Sequence, residues 1–201
     1  MFSQITFLVL TYLISAIPFG LLLTKVFLNK DIREFGSKNI GATNVTRVAG
    51  KKLGLATLIL DGAKGAIMVI IARFVFSDSA NLHLFLVVVA LVAVLGHIYP
   101  VYLNFKGGKG VATTIAVFYA LDPKLGVLVT AVWIISFLLF RISSLSSLLA
   151  VASSVFLSKY CEASFEQIVF CVILFVIVAF RHKENISRLL KGEEKSFKNS
   201  L

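Results

Sequence analysis

The chain has 201 residues, of which 58% are hydrophobic and 15% charged, whereas an ordinary soluble domain is about 45–50% apolar and about 25% charged. This composition excludes an ordinary soluble globular domain and indicates that lipid solvates much of the chain. The net charge of +10 fits nucleic acid, anionic lipid or an anionic substrate. Cys161 and Cys171 would lie roughly 15 Å apart on one helix, too far for a disulfide. No Cys/His cluster predicts a metal, and we expect no cofactor.

Apolar segments bounded by charged residues predict an all-α, polytopic membrane protein that forms one domain over residues 1–201. A charged side chain at the centre of a bilayer costs about 2.5–3.5 kcal/mol on insertion scales, so apolar segments bounded by charged residues are candidate spans. Seven transmembrane helices are predicted, at residues 4–23, 53–76, 82–103, 109–121, 125–140, 142–158 and 165–180. The fourth segment is shorter than the roughly 17–25 residues of a spanning helix. Pro123 separates it from the fifth, and a re-entrant hairpin over 109–140 is the alternative.

The distribution of Lys and Arg predicts which ends of the helices face the cytoplasm. The first 23 residues contain no Lys or Arg, so they lack the basic start of a signal peptide and predict a retained helix with its N-terminus outside. Seven spans then leave the C-terminus in the cytoplasm. All but four of the 20 basic residues lie at the cytoplasmic face, as the positive-inside rule expects. Residues 193–201 predict a solvated, mobile tail.

A first polar, glycine-bearing motif occupies residues 36–47, just before the second apolar segment. Glycines let backbone N–H groups approach an anion closely, hydroxyl and amide side chains add donors, and an arginine binds phosphate oxygens with two parallel hydrogen bonds. Taken alone, a turn with helix caps explains the segment better. The candidate substrate-binding residues are Ser37, Gly41, Thr43, Asn44 and Arg47.

A second motif, residues 96–113, combines glycines and lysines at the start of a predicted helix. The N-terminal end of a helix carries partial positive charge and free N–H groups, which favours anion binding there. The segment is not a Walker loop, because Gly110 stands where Ser or Thr is needed. A flexible basic loop that contacts lipid headgroups is the alternative. The candidate anion-binding residues are Lys106, Gly107, Gly108 and Lys109.

A third motif, residues 181–192, is basic and follows the last apolar segment. If it is helical, His182 and Asn185 lie three residues apart on one face. A basic stop after a membrane span is the alternative. Because all three motifs lie at the same predicted face, they indicate a polyanionic ligand. Phosphate fits better than nucleic acid, since the loops are short and carry few aromatic side chains for base stacking.

Ionisable residues also occur inside the apolar segments. Asp61 and Lys64 are three residues apart and can pair on a helix, which lowers the cost of burying both. Intramembrane charges are functional candidates by default, and a structural ion pair is an equally good explanation here. His97 lies within the third apolar segment, where a lone histidine is more typical of a hydrogen bond between packed helices.

The three motifs together resemble those of the bacterial PlsY family, the acyl-phosphate:glycerol-3-phosphate acyltransferases. The likeness covers the whole chain, although Lys38, Asn104 and Lys183 depart from the commonest pattern of the family. The resemblance implies transfer of a fatty acyl group from acyl phosphate to the 1-hydroxyl of glycerol 3-phosphate. The products would be lysophosphatidic acid and phosphate, in the first acylation of phospholipid synthesis. It further implies a site at the cytoplasmic face of the bacterial inner membrane, and an upstream enzyme that forms acyl phosphate as functional partner.

The resemblance and the residue chemistry together suggest roles for the candidates. Phosphate would be held by Ser37, Thr43, Arg47, Lys106 and the backbone near Gly107 and Gly108, with Asn44 and Lys109 as secondary candidates. Lys106, His182 and Asn185 are the expected catalytic residues.

The general base is the least defined part of the expected mechanism. Asp61, His182 or a phosphate oxygen of the donor could take the proton, and the last is favoured because no obvious carboxylate serves. A small transporter for an anionic metabolite and a scaffold that binds anionic lipid are the rival functions.

Overall fold

The computed structural model describes residues 3–197 and builds them into α-helices and two short 3-10 turns, with no strand in that part of the chain. The predicted all-α class is therefore confirmed. Lys198, predicted to be cytoplasmic, lies outside the described residues, as does the end of the predicted tail. The helices are α1 (Gln4–Ser15), α2 (Phe19–Leu28), α3 (Ala42–Val75), α4 (Leu82–Ile98), α5 (Val111–Leu121), α6 (Pro123–Phe140), α7 (Ser143–Tyr160), α8 (Phe165–Arg181) and α9 (Lys183–Leu190).

Fewer helices qualify as membrane spans than the sequence predicted. Helix α5 has only 11 residues, and the serines of α7 lower its hydropathy. Helices α8 and α9 meet at 67° and qualify only as one broken span. The prediction of seven spans is therefore wrong by length and apolarity, which give four spans within residues 3–197, or five with the bent pair. The four are Gln4–Leu28, Ala42–Val75, Leu82–Leu103 and Pro123–Phe140.

Turn chemistry sets where the helices begin and end. Asp122 caps α6 by accepting hydrogen bonds from the amides of Lys124 (2.9 Å) and Leu125 (3.2 Å), with Pro123 in the first turn. Gly50 interrupts α3 with φ 85° and ψ 169°, a conformation that an L-residue with a side chain rarely adopts. The first turns of α3, which carry the first motif, are therefore offset from the apolar remainder of that helix.

Helix α4 forms the centre of the bundle. Val89, Ala90, Ala93 and Val94 are fully buried in its middle, and the helix packs against α1, α3, α5 and α8. At one end of the bundle, Thr43 at the start of α3 contacts Ser143 at the start of α7. At the same end, the loop before α5 contacts both the end of α4 and Arg181 at the end of α8. The core thereby brings the three polar motifs to the same end of the bundle.

Candidate active site

The first motif is organised around Asn44, which is 1% exposed. Its amide nitrogen donates to the carbonyls of Ile32 (3.3 Å), Phe35 (3.1 Å) and Asn39 (2.8 Å). Its Oδ1 accepts from the amide of Ser37 at 2.8 Å. Asn44 therefore holds the preceding loop in place with its own polar atoms, and its donors are already used within the protein.

The other candidates of the first motif face two different neighbours. The Thr43 hydroxyl lies 3.0 Å from the Ser143 hydroxyl at the start of α7. The Arg47 guanidinium donates to the Lys195 carbonyl (3.1 Å) and lies 4.8 Å from the centre of the Phe197 ring. The buried Nε of Arg47 has no partner among the described residues, so this guanidinium retains a donor that an anion could use.

The last two candidates of the first motif, Gly41 and Ser37, form no hydrogen bond with another motif within residues 3–197: one is bonded within its own loop and the other is exposed. The Gly41 amide donates to Asn39 Oδ1 at 2.8 Å, and Gly41 precedes the first turn of α3. The Ser37 side chain is exposed at the surface of the loop.

The glycine loop, residues 106–110, folds against the end of α4. The Gly107 amide donates to the Ile98 carbonyl (3.1 Å) and the Gly108 amide to the His97 carbonyl (3.2 Å). These two N–H groups, expected to cradle phosphate, thus donate to the backbone in this conformation. Lys106, expected to be catalytic, is exposed, and it is Lys109 that points into the protein.

Arg181 fixes the other side of the glycine loop. Its guanidinium donates to the carbonyls of Gly107 (3.1 Å) and Gly108 (3.2 Å) and lies 5.5 Å from the centre of the Tyr99 ring. The second and third motifs are therefore joined directly through hydrogen bonds at the end of α8.

A donor cluster, defined here as Lys109, Ser144, Asn185, Arg188 and Glu194, lies next to this loop. Lys109 Nζ donates to Asn185 Oδ1. The Glu194 carboxylate accepts from Asn185 Nδ2 (2.5 Å), Ser144 Oγ (2.7 Å) and Arg188 Nε (2.6 Å). The Glu194 carboxylate is thus held by one cationic and two neutral donors from two helices, α7 and α9.

Burial and charge shift the protonation equilibria of this cluster. Burial lowers the pKa of Lys109 to about 8, although the nearby Glu194 carboxylate partly opposes that effect. Partial burial would raise the pKa of Glu194, but the hydrogen bonds from Ser144, Asn185 and Arg188 outweigh it and lower that pKa below its ordinary value. Glu194 is therefore ionised at neutral pH, and Lys109 is close to its titration.

His182 lies at the junction of α8 and α9 and is 2% exposed. Its Nδ1 is 2.8 Å from the Val178 carbonyl. A carbonyl can only accept, so Nδ1 carries the hydrogen, and in the neutral ring Nε2 is left as an acceptor. Asp61, the other side chain considered as a base, is 2% exposed and bound to Lys64 at 2.8 Å. That ion pair occupies a carboxylate oxygen which a base would need.

One cavity is lined by Lys109 of the cluster, and a second is lined by Ser143, which precedes Ser144 in the chain. A small polar one, about 150 Å³, is lined in part by Asn39, Lys109, Arg181 and Lys183. A larger groove, about 290 Å³ and mainly apolar, begins at Thr43 and Ser143. It continues along α3 and α6, where its walls include Leu55, Leu58, Trp133 and Phe137. The polar, cationic pocket suits an anionic head group, and the apolar groove suits a hydrocarbon tail.

The family model described as glycerol-3-phosphate acyltransferase matches residues 5–192 of this chain. The chain belongs to that family. A protein of Myxococcus xanthus named glycerol-3-phosphate acyltransferase is 45% identical over 188 residues, covering 94% of this chain and 96% of that protein. The protein is therefore an acyltransferase that acts on glycerol 3-phosphate, which excludes the transporter and scaffold as its principal function.

The structure also resembles crystal structures of PlsY, described as an integral membrane glycerol 3-phosphate acyltransferase. The glycerol 3-phosphate form of PlsY matches with a TM-score of 0.90 and 37% identity, covering 96% of this chain and 95% of that one. The lysophosphatidic acid form matches with a TM-score of 0.87 and 36% identity over the same shares of the two chains. The resemblance seen in the three motifs is confirmed at the level of the family and of the fold.

Sequence reasoning missed four members of this region. Ser143 and Ser144 begin α7, and their position directly after Arg141 at the same end of the bundle was the available signal. Arg188 lies one turn after Asn185 on α9. Glu194 belongs to the predicted tail, and the expectation that it is solvated is wrong for this residue because its side chain is 9% exposed. The described residues contain no group of three or more His, Cys, Asp or Glu side chains that could hold a metal.

Proposed function

We propose that the acyl donor is acyl phosphate and that the acyl group passes to the 1-hydroxyl of glycerol 3-phosphate. The products are lysophosphatidic acid and inorganic phosphate, in the first acylation of phospholipid synthesis. The observation that carries this proposal is the donor cluster around Lys109 and Asn185, together with an apolar groove that α3 and α6 line and that reaches Ser143, next to Ser144 of the cluster. Both substrates bring a phosphate to such a site, and only the donor brings an acyl chain.

The reaction balances without a protein carboxylate. The hydroxyl oxygen of glycerol 3-phosphate attacks the carbonyl carbon of the donor and forms the ester bond. The bond between that carbon and the phosphate oxygen breaks, and the hydroxyl proton passes to an oxygen of the departing phosphate. Since acyl phosphate is already activated, most of the catalysis is positioning of the two substrates together with stabilisation of the oxyanion.

In this mechanism the side chains divide into phosphate ligands and orienting groups. Asn185 donates to and accepts from the substrate once it is released from its present partners, and His182 Nε2 accepts from the glycerol hydroxyl. Lys106 approaches a phosphate from the exposed edge of the glycine loop. The phosphate-binding residues we propose are Ser37, Gly41, Thr43, Arg47, Gly107, Gly108 and Lys109. Asn44 contributes indirectly, through the loop that it holds.

Two features of the structure support a defined substrate geometry. Thr43 lines the apolar groove together with Phe197, the ring against which the Arg47 guanidinium packs, and the Arg47 Nε has no partner among the described residues. The phosphate of the acyl donor would arrive there. Lys109 lines the polar cavity and donates to Asn185. We assign the donor phosphate to the first pair and glycerol 3-phosphate to the second.

The donor is tested with purified protein in detergent or lipid. Glycerol 3-phosphate is supplied with palmitoyl phosphate in one reaction and with palmitoyl-CoA in another, and lysophosphatidic acid is measured in both. We expect product only from palmitoyl phosphate. Equal product from palmitoyl-CoA would refute the proposed donor while leaving the acyltransferase family intact.

We further propose that the protein lies in the bacterial inner membrane with its N-terminus outside, the site facing the cytoplasm, and the enzyme that forms acyl phosphate as its functional partner. The excess of Lys and Arg at the end of the bundle that holds the three motifs supports this orientation. Cysteines introduced at Ser37 and Lys106, which are both exposed, should react with an impermeant reagent only from the cytoplasmic side. Labelling from opposite sides would refute the arrangement.

A further inference from the structure

Three ionisable side chains form a buried cluster beneath the glycine loop. Lys64 Nζ donates to Asp61 Oδ1 (2.8 Å) and to the Ile17 carbonyl (2.7 Å). The His97 Nδ1 lies 3.7 Å from the same Asp61 oxygen. Asp61, Lys64 and His97 are 2%, 5% and 4% exposed. Charges are retained in such an interior only when they are paired, and they are costly to disturb.

The cluster joins four parts of the fold. Ile17 lies at the break between α1 and α2, Asp61 and Lys64 are on α3, and His97 is on the last turn of α4. The Thr113 hydroxyl of α5 donates to the Asp61 carbonyl at 2.8 Å. The ring of His97 therefore lies next to Asp61, whose own bonds join α3 to α5 and to the break between α1 and α2.

The opposite edge of the His97 ring lies against Gly108. A Cβ atom placed on Gly108 would come within 2.1 Å of His97 Nε2, 2.8 Å of Cε1 and 3.0 Å of Cδ2. Real Cβ atoms essentially never come that close to a neighbour. The Gly108 amide also donates to the His97 carbonyl at 3.2 Å. Both the ring and the backbone of His97 thus set how deeply Gly108 sits.

We propose that His97, supported by the Asp61–Lys64 ion pair, is a positioning residue that sets the depth of the glycine loop and thereby places Lys109 in the donor cluster. Lys109 follows Gly108 directly, and its ammonium reaches Asn185. A displacement of Gly108 therefore moves Lys109 relative to Asn185. The effect on turnover rests on the proposed function, whereas the placement of Lys109 does not.

The two glycines of the loop provide a matched pair of test positions. At Gly108 the nearest three atoms to an added Cβ all belong to the His97 ring. At Gly107 they are the His97 carbonyl oxygen (2.3 Å), Pro100 Cδ (2.3 Å) and the Ile98 carbonyl oxygen (2.7 Å). Removal of the His97 ring would make room for a methyl group at Gly108 but not at Gly107.

The experiment compares Gly108→Ala, His97→Ala and the double variant with the matching set at Gly107. We expect kcat/KM for glycerol 3-phosphate to fall about 10- to 100-fold in Gly108→Ala, as a misplacement of about 1 Å can cause. The kcat/KM of the His97→Ala, Gly108→Ala double variant should be several-fold higher than that of Gly108→Ala. Adding His97→Ala to Gly107→Ala should not raise kcat/KM. Purely additive losses at Gly108, or equal recovery at both glycines, would overturn the proposal.

A second readout is independent of turnover. The reactivity of Lys109 toward reductive methylation, measured by mass spectrometry, should rise in Gly108→Ala and return toward the wild-type value in the double variant. Unchanged reactivity in Gly108→Ala would overturn the proposal even if activity fell. If Lys109 is methylated as expected in the variants but the wild type does not turn over acyl phosphate, the proposed donor is refuted. The positioning role of His97 is then still supported.

If His97→Ala does not fold, His97→Asn takes its place in both sets. Its amide nitrogen occupies the position of Nδ1 and can still face Asp61, whereas the Cε1 and Nε2 atoms that would contact the added methyl group are absent. The same recovery at Gly108 and lack of recovery at Gly107 are expected, with the same contradicting results.

Discussion

Lys109 makes the activity of this protein sensitive to pH between about 7 and 9. Burial lowers the pKa of this lysine to about 8, with partial opposition from the Glu194 carboxylate. Because the pKa is lowered, Lys109 carries its charge below pH 8 and loses it as the pH rises through that value. Its ammonium donates to Asn185 at the centre of the donor cluster, so binding of a phosphate there should weaken at alkaline pH.

The size of the effect follows from the titration. A lysine with a pKa of about 8 is roughly 90% charged at pH 7 and roughly 10% charged at pH 9, so kcat/KM for glycerol 3-phosphate should fall about ninefold between them. The substrate does not titrate in this range, since the second pKa of a phosphate monoester is about 6. Replacing Lys109 by Arg keeps the charge at every pH tested, because the arginine pKa exceeds about 12.

The assay is kcat/KM for glycerol 3-phosphate from pH 6.5 to 9.5 for the wild type, Lys109→Arg and Lys109→Met. We expect an alkaline fall in the wild type, no such fall in Lys109→Arg, and a low, flat profile in Lys109→Met. A flat wild-type profile would refute the reasoning, and so would an equal alkaline fall in Lys109→Arg.

Three further substitutions separate stability from catalysis. Lys106→Ala should lower kcat/KM at least about tenfold with an unchanged melting temperature, because an exposed lysine contributes little to folding whereas a phosphate ligand stabilises the transition state. Wild-type turnover would remove Lys106 from the site. Glu194→Gln should lower the free energy of unfolding by roughly 2–3 kcal/mol and should also lower activity, because the donors of Arg188 and Asn185 lose a charged acceptor. A normal melting temperature and normal turnover would contradict the position of Glu194 in the cluster. Asn44→Ala should lower the free energy of unfolding by roughly 2–4 kcal/mol, because it leaves buried backbone carbonyls without partners. The measurement is thermal unfolding in detergent, and an unchanged melting temperature would contradict the role of Asn44 in the loop.

The helical class of the chain followed from its sequence because apolar segments and helix breakers are local signals. Pro123 and Asp122 marked the break between α5 and α6 correctly. The number of spans was overestimated because a charge-bounded apolar segment can be a short or serine-rich helix inside the bundle. Helices α5 and α7 are of this kind, and only their length and composition as folded helices distinguish them.

The candidate site was only partly predictable, because through-space partners leave no local signal. Gly107 and Gly108 suggested free amides for phosphate. In the structure a side chain at either position would clash with the end of α4, and both amides donate to carbonyls there. Close packing therefore explains these glycines as well as phosphate binding does. Glu194 looked like one charge in a polar tail until the fold placed it beside Ser144 and Arg188. The three motifs lie at one end of the bundle, as expected, and the structure shows which side chain of each segment faces its neighbours.

The identity of the acyl donor is tested most directly by the stoichiometry of a single reaction. Purified protein receives palmitoyl phosphate with and without glycerol 3-phosphate, and inorganic phosphate and lysophosphatidic acid are measured together. We expect phosphate release to require glycerol 3-phosphate and to equal lysophosphatidic acid one for one. Lysophosphatidic acid formed from another donor, with no phosphate released from palmitoyl phosphate, would contradict the proposed reaction.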